Sequence, residues 1–112
     1  MKSKKKGNYL ELKPLRNDSI SWSENEEGVT LEIENKGVWN RLFQRLLKKP
    51  KVSFIHLDEI GSFVWPLLDG EKTVSELGEA VKTRFGDKAE PLYERLSEYF
   101  RILESYNFIS LI

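Results

Sequence analysis

The sequence predicts an α+β domain: a three-stranded antiparallel sheet packed on three C-terminal helices, with an extra basic surface helix. Three observations point there. Apolar and polar residues alternate with period two in the first third of the chain, the mark of strands with one buried face. The last fifty residues carry apolar stripes at helical spacing, punctuated by strong start and stop signals. With 112 residues, 39% of them hydrophobic and 12% aromatic, the chain suits one packed core and is too short for two.

Residues 1–15 read as a flexible basic N-terminal arm, and 16–112 as the folded domain. Within the arm, 9–15 reads as extended chain that ends at Lys13-Pro14, because the residue before a proline avoids helical geometry. Ile20-Ser21-Trp22 and Val29-Thr30-Leu31-Glu32-Ile33-Glu34 alternate, and the polar turn Glu24-Asn25-Glu26-Glu27-Gly28 between them makes an antiparallel hairpin. Trp22 is a candidate core anchor. After Lys36-Gly37, apolar residues Trp39, Leu42, Phe43, Leu46 and Leu47 recur at helical spacing opposite arginines, which predicts a basic amphipathic helix ending before Pro50. Such a face either caps the sheet or docks on a partner or membrane surface.

The β-branched and aromatic run 52–57 predicts the third strand. Asp58 can cap a helix over 59–68 whose apolar face is Ile60, Phe63, Val64, Leu67 and Leu68; Pro66 removes a hydrogen bond and should tighten its last turn. Asp69-Gly70 is a turn. Thr73-Val74-Ser75-Glu76 has the form of a capping box, and Val74, Leu77, Val81 and Phe85 form the stripe of a second helix that Gly86 ends. The third helix begins near Asp87 or Glu90 and runs to Tyr106, with Leu92, Leu96, Tyr99, Phe100 and Leu103 as its stripe. Asn107 suits the left-handed position after it, and Phe108-Ile109 should fold back onto the core. This order of strands and helices is winged-helix-like.

Eighteen basic and eighteen acidic residues leave the chain formally neutral, but the charge is blocked. Residues 1–16 sum to +5, 17–37 to −5, 38–51 to +5 and the remainder to −5. Blocks of this kind either steer a charged partner or mark solvated faces. A nucleic-acid binder would carry a net basic excess, and the exposed side of the second helix includes Glu76 and Glu79 beside Lys82. A DNA-binding regulator is therefore the secondary reading, and a carboxylate enzyme built on Asp58, Glu59 or Asp69 a third. The absence of cysteine excludes disulfides, thiolate metal sites and thiol nucleophiles. A single histidine, His56, excludes multi-histidine zinc sites, and neither a G-x-S-x-G elbow nor a glycine-rich phosphate loop occurs. No apolar run is long enough for a membrane span. The expectation is a non-enzymatic, cytoplasmic binding protein without cofactor or metal, engaging neither nucleic acid nor membrane.

The run Leu57-Asp58-Glu59-Ile60-Gly61-Ser62-Phe63-Val64-Trp65-Pro66-Leu67-Leu68-Asp69-Gly70-Glu71-Lys72-Thr73-Val74-Ser75-Glu76-Leu77 resembles the signature of the PqqD family. Downstream, Leu96, Tyr99-Phe100, Leu103 and Asn107-Phe108-Ile109 are similar to the family's closing helix, with asparagine where glycine is usual. The resemblance covers residues 20–110. It implies a peptide chaperone that recognises the leader of a ribosomally made precursor peptide and presents it to a modifying enzyme, often a radical SAM protein. It also implies that the leader adds as a strand beside the third strand, in a groove bounded by the third helix.

Physical chemistry gives that site its residues. An edge strand offers unpaired amides and carbonyls to an extended peptide, and side-chain pockets add selectivity. The candidate peptide-binding residues are Ser53, Phe54, Ile55 and His56 on the strand and Arg95, Tyr99 and Ile102 on the helix. By alternation, if Ile55 and Leu57 face the core, Phe54 and His56 face away, and Phe54 is then placed to contact a bound peptide. Each has a plainer alternative: Phe54 packing under the basic helix, His56 a solvated strand residue, Tyr99 and Ile102 ordinary core. A homodimer through an exposed edge is a further expectation.

Overall fold

The computed structural model describes residues 9–34 and 52–112. A short 3-10 turn, Tyr9–Glu11, leads into β1 (Pro14–Arg16), β2 (Ser21–Asn25), β3 (Gly28–Glu34) and β4 (Val52–His56). Helix α1 (Glu59–Val64) tightens into a 3-10 turn at Trp65–Leu67, and α2 (Val74–Phe85) runs into a second such turn at Gly86–Ala89. Helix α3 (Leu92–Ser105) and β5 (Ile109–Leu111) complete the order. The chain is α+β, with an antiparallel sheet ordered β2-β3-β4 and three helices. The expected basic helix at 38–49, and the part of the basic arm before Tyr9, lie outside the described residues.

Local signals explain the helix boundaries. Asp58 accepts a hydrogen bond from the Gly61 N–H at 2.7 Å and so caps α1. Pro66 ends the α-helical pattern two residues earlier, at Val64, which turns the expected 59–68 helix into six α-helical residues and a 3-10 turn. In the capping box of α2, the Glu76 N–H donates to Thr73 Oγ1 at 3.1 Å and the Thr73 N–H donates to Glu76 Oε1 at 2.9 Å. Gly86 and Asn107, both with positive φ (60° and 65°), follow α2 and α3. Helix α3 starts later than expected, at Leu92, because Gly86–Ala89 forms its own turn.

The core is built by Val29 and Leu31 of β3, Val64 and Trp65, Leu77 and Val81 of α2, and Leu96 and Phe100 of α3, all almost wholly buried. Trp22 is half-buried and meets Trp65 edge-to-face at 6.4 Å between ring centroids. One feature of the sequence expectation needs correction: β1 and β5 form a second, two-stranded sheet, with Leu15 opposite Ser110. The described part of the arm, 9–15, is thus built into the fold: Pro14 is buried, and Arg16 donates to the carbonyls of Trp65 (3.2 Å) and Pro66 (2.9 Å). Ile55 lies on the inner face opposite Leu31 and is 36% exposed there, because α1 packs against β3 and leaves the outer strand uncovered among the described residues.

The sheet and the helices meet at Ser62. Leu57 N–H donates to the Val29 carbonyl at 2.9 Å, but the reciprocal bond is not direct. Instead the Val29 N–H donates to Ser62 Oγ at 2.8 Å, and that hydroxyl donates to the Leu57 carbonyl at 3.1 Å. The first turn of α1 therefore completes the β3–β4 ladder. Gly28, with φ 125°, leaves room for it: a Cβ there would stand 2.6 Å from Ser62 Oγ.

Replacing Ser62 by alanine strands a buried N–H and a half-buried carbonyl, so we expect a loss of about 2–3 kcal/mol in urea unfolding. Thr73→Ala removes only an exposed cap and should cost about 1 kcal/mol. A Ser62→Ala loss no larger than that of Thr73→Ala would contradict the bridging role.

Candidate functional site

Strand β4 pairs with β3 on one side, in the register Thr30 opposite His56, Leu31 opposite Ile55 and Glu32 opposite Phe54. Among the described residues, no strand lies on its other side. The Leu57-to-Val29 bond sets the phase of the ladder. Since antiparallel partners alternate between bonded and non-bonded pairs, residues 53, 55 and 57 turn their main chain toward β3. Val52, Phe54 and His56 then turn theirs outward. This margin is a row of donors and acceptors able to pair with an extended chain.

The side chains divide the same way. Phe54 and His56 lie on the face that carries Thr30 and Glu32; Ser53 and Ile55 lie on the inner face, beside Ile33 and Leu31. Phe54 is 60% exposed and is not core. His56 forms a cross-strand pair, its Nδ1 lying 2.9 Å from Thr30 Oγ1. The expectation that Phe54 and His56 face away from the core agrees with this register.

Where α1 meets α3 lies a small cavity of about 60 Å³, with Asp58, Ile60, Leu92, Arg95, Leu96 and Tyr99 among its walls. Tyr99 closes one side. Its hydroxyl donates to the Gly61 carbonyl at 3.1 Å, and burial, followed by the nearby Asp58 charge, pushes its phenol pKa up. Gly61 permits this approach, since a Cβ there would sit 3.2 Å from the Tyr99 ring. Arg95 is exposed, and its Nη1 donates to the Lys88 carbonyl at 3.0 Å.

Of the seven residues singled out from the sequence, four are consecutive on β4, and Arg95 and Tyr99 share the cavity. Ile102, 42% exposed, stands on the same flank of α3 by its spacing of seven and three from those two, but does not line the cavity. Ile60 was read from the sequence as a core residue and Asp58 as a cap or, in the third reading, an enzyme's carboxylate, yet both line this cavity. The cap itself was the available signal, because a capping carboxylate must sit at a helix entrance, next to whatever opens there. What the arrangement offers is recognition of an extended chain: main-chain partners on β4, apolar side chains, and a cation. Among the described residues, no group of three or more His, Cys, Asp or Glu is placed to hold a metal ion, and no helix is long and apolar enough to cross a membrane.

No curated protein and no solved structure matches the chain. The family model of coenzyme PQQ synthesis protein D (PqqD) matches it over residues 29–109, a span that takes in β3, β4, all three helices and the start of β5. The chain belongs to the PqqD family.

Proposed function

We propose that this protein is a non-catalytic peptide chaperone. It takes up the leader of a ribosomally made precursor peptide as an added strand on β4 and presents it to a modifying enzyme of the radical SAM type. The observation that carries this reading is the margin of β4, where the outward main chain of Val52, Phe54 and His56 meets no described strand. Family membership supports it through the peptide-chaperone theme. Ser53, Phe54, Ile55 and His56 form the strand side of the proposed site, and Arg95, Tyr99 and Ile102 the helix side. Tyr99 contributes mainly by holding α3 against α1 through its bond to Gly61.

Main-chain pairing supplies affinity with little sequence preference, at about 0.5–1.5 kcal/mol net per hydrogen bond. Selectivity must come from side chains at both ends of the strand. A DNA-reading role is less well supported, since the exposed acids Glu76 and Glu79 of α2 oppose phosphate.

Titration of the labelled protein with leader segments of short precursor-like peptides encoded beside it should shift backbone amides within 52–57 and 92–103. Uniform small shifts, or none with the modifying enzyme present, would count against the proposal. A second test uses proline. Phe54→Pro removes an outward N–H from an edge strand, so it should spare stability to within about 1 kcal/mol and weaken peptide binding at least about tenfold. Ile55→Pro removes an N–H that faces β3 and should destabilise the fold itself. Equal binding by wild type and Phe54→Pro would argue that peptides bind elsewhere.

A further inference from the structure

Another concave surface lies between α1 and α2, and it shares no residue with β4 or with the cavity at α3. It is an open groove of about 660 Å³, lined by Phe63, Glu79, Ala80, Thr83 and Arg84. Phe63 and Ala80 are half-buried and the other three are exposed. The α2 positions pair at a spacing of four, so they share one flank of that helix. A groove of this width and openness suits the side of a helix better than an enclosed small molecule.

Arg84 is the distinctive group. Its guanidinium lies over two rings, 5.9 Å from the Phe63 centroid and 5.7 Å from that of Phe85, and the rings themselves meet edge-to-face at 5.6 Å. This stacking orders the side chain without using its N–H groups. Among the described residues the ion pairs are Lys72–Asp69 and Arg101–Glu98, and Arg84 has neither an ion pair nor a hydrogen bond. A cation in the last turn of α2 suits the helix dipole, which accounts for the charge but not for a fork held open on two rings. Five donors in a planar fork match a carboxylate. Glu79 borders the same groove five residues earlier, about 7.5 Å away along the helix axis, and is likewise unpaired among the described residues. The groove is therefore bipolar, with an apolar floor of Phe63 and Ala80 between its charges.

We propose that this groove docks the modifying enzyme through an amphipathic helix, which places a carboxylate on Arg84, an apolar side chain against Phe63 and Ala80, and a lysine or arginine on Glu79. The inference rests on the reading of the protein as a chaperone that presents its guest to an enzyme. Two observations select the enzyme as the occupant. An added strand needs free main-chain groups, whereas every lining residue here belongs to a helix and offers only its side chain. The lining also excludes β4, Arg95, Tyr99 and Ile102, so guest and enzyme can be held at the same time, as presentation requires.

The test is calorimetric titration of the full-length protein with the modifying enzyme encoded beside it, together with guest binding followed at the amides of β4. Arg84→Glu should weaken enzyme association at least about tenfold and leave guest binding by the free protein within about twofold of wild type. Arg84→Lys keeps the charge without the fork and should fall between the two. Ala80→Gln, a good helix former that fills the floor of the groove, should also weaken the enzyme alone. Wild-type association by Arg84→Glu would overturn the docking face and leave strand pairing on β4 intact. Parallel loss of enzyme and guest binding with a lowered unfolding midpoint would assign Arg84 to the fold and overturn it equally. A wild-type protein that binds its guest but no enzyme would remove the presenting role and the docking face with it.

Discussion

Ser62 is the joint on which the arrangement turns. Its buried hydroxyl accepts from a strand amide and donates to a strand carbonyl, so one side chain of α1 acts as a rung of the sheet. Buried main-chain groups must find partners, and here the partner comes from the helix that follows β4. The same residue holds α1 at a set distance from β3, and α1 in turn holds α3 through Tyr99 and Gly61. The relative position of the strand margin and the helical wall is therefore determined by two hydrogen-bonding side chains as well as by the apolar core. Gly28 and Gly61 are the spaces that make those two approaches possible.

Much of this was legible in the residues, and the reason is that the readable parts are local. The capping box at Thr73 and Glu76, the cap at Asp58, the tightened turn at Pro66 and the left-handed Asn107 all depend on neighbours within four positions. The alternation in 29–33 likewise reports its own buried face. The β1–β5 pair was not readable in the same way. Three-residue strands carry too little pattern to show a period, and their partner lies at the opposite end of the sequence. The exposure of Ile55 was unreadable for a related reason: alternation says which face a side chain joins, but not whether anything covers that face.

The candidate site shows the same division. The four β4 residues follow from the strand assignment, and Arg95, Tyr99 and Ile102 follow from spacing on a single helix. That Asp58 and Ile60 join Arg95 and Tyr99 around one cavity is a tertiary fact, produced by the approach of α1 to α3 across Gly61. A glycine inside a six-residue helix was the trace of it, since that position has no turn to make and a close neighbour to admit.

The pairing of β1 with β5 brings Lys13 and Ile112 into mutual hydrogen bonding, so the two ends of the folded unit are side by side. The two short strands thus act as a clasp: loosening either one removes the other's hydrogen-bonding partner, so the pair opens and closes as one element.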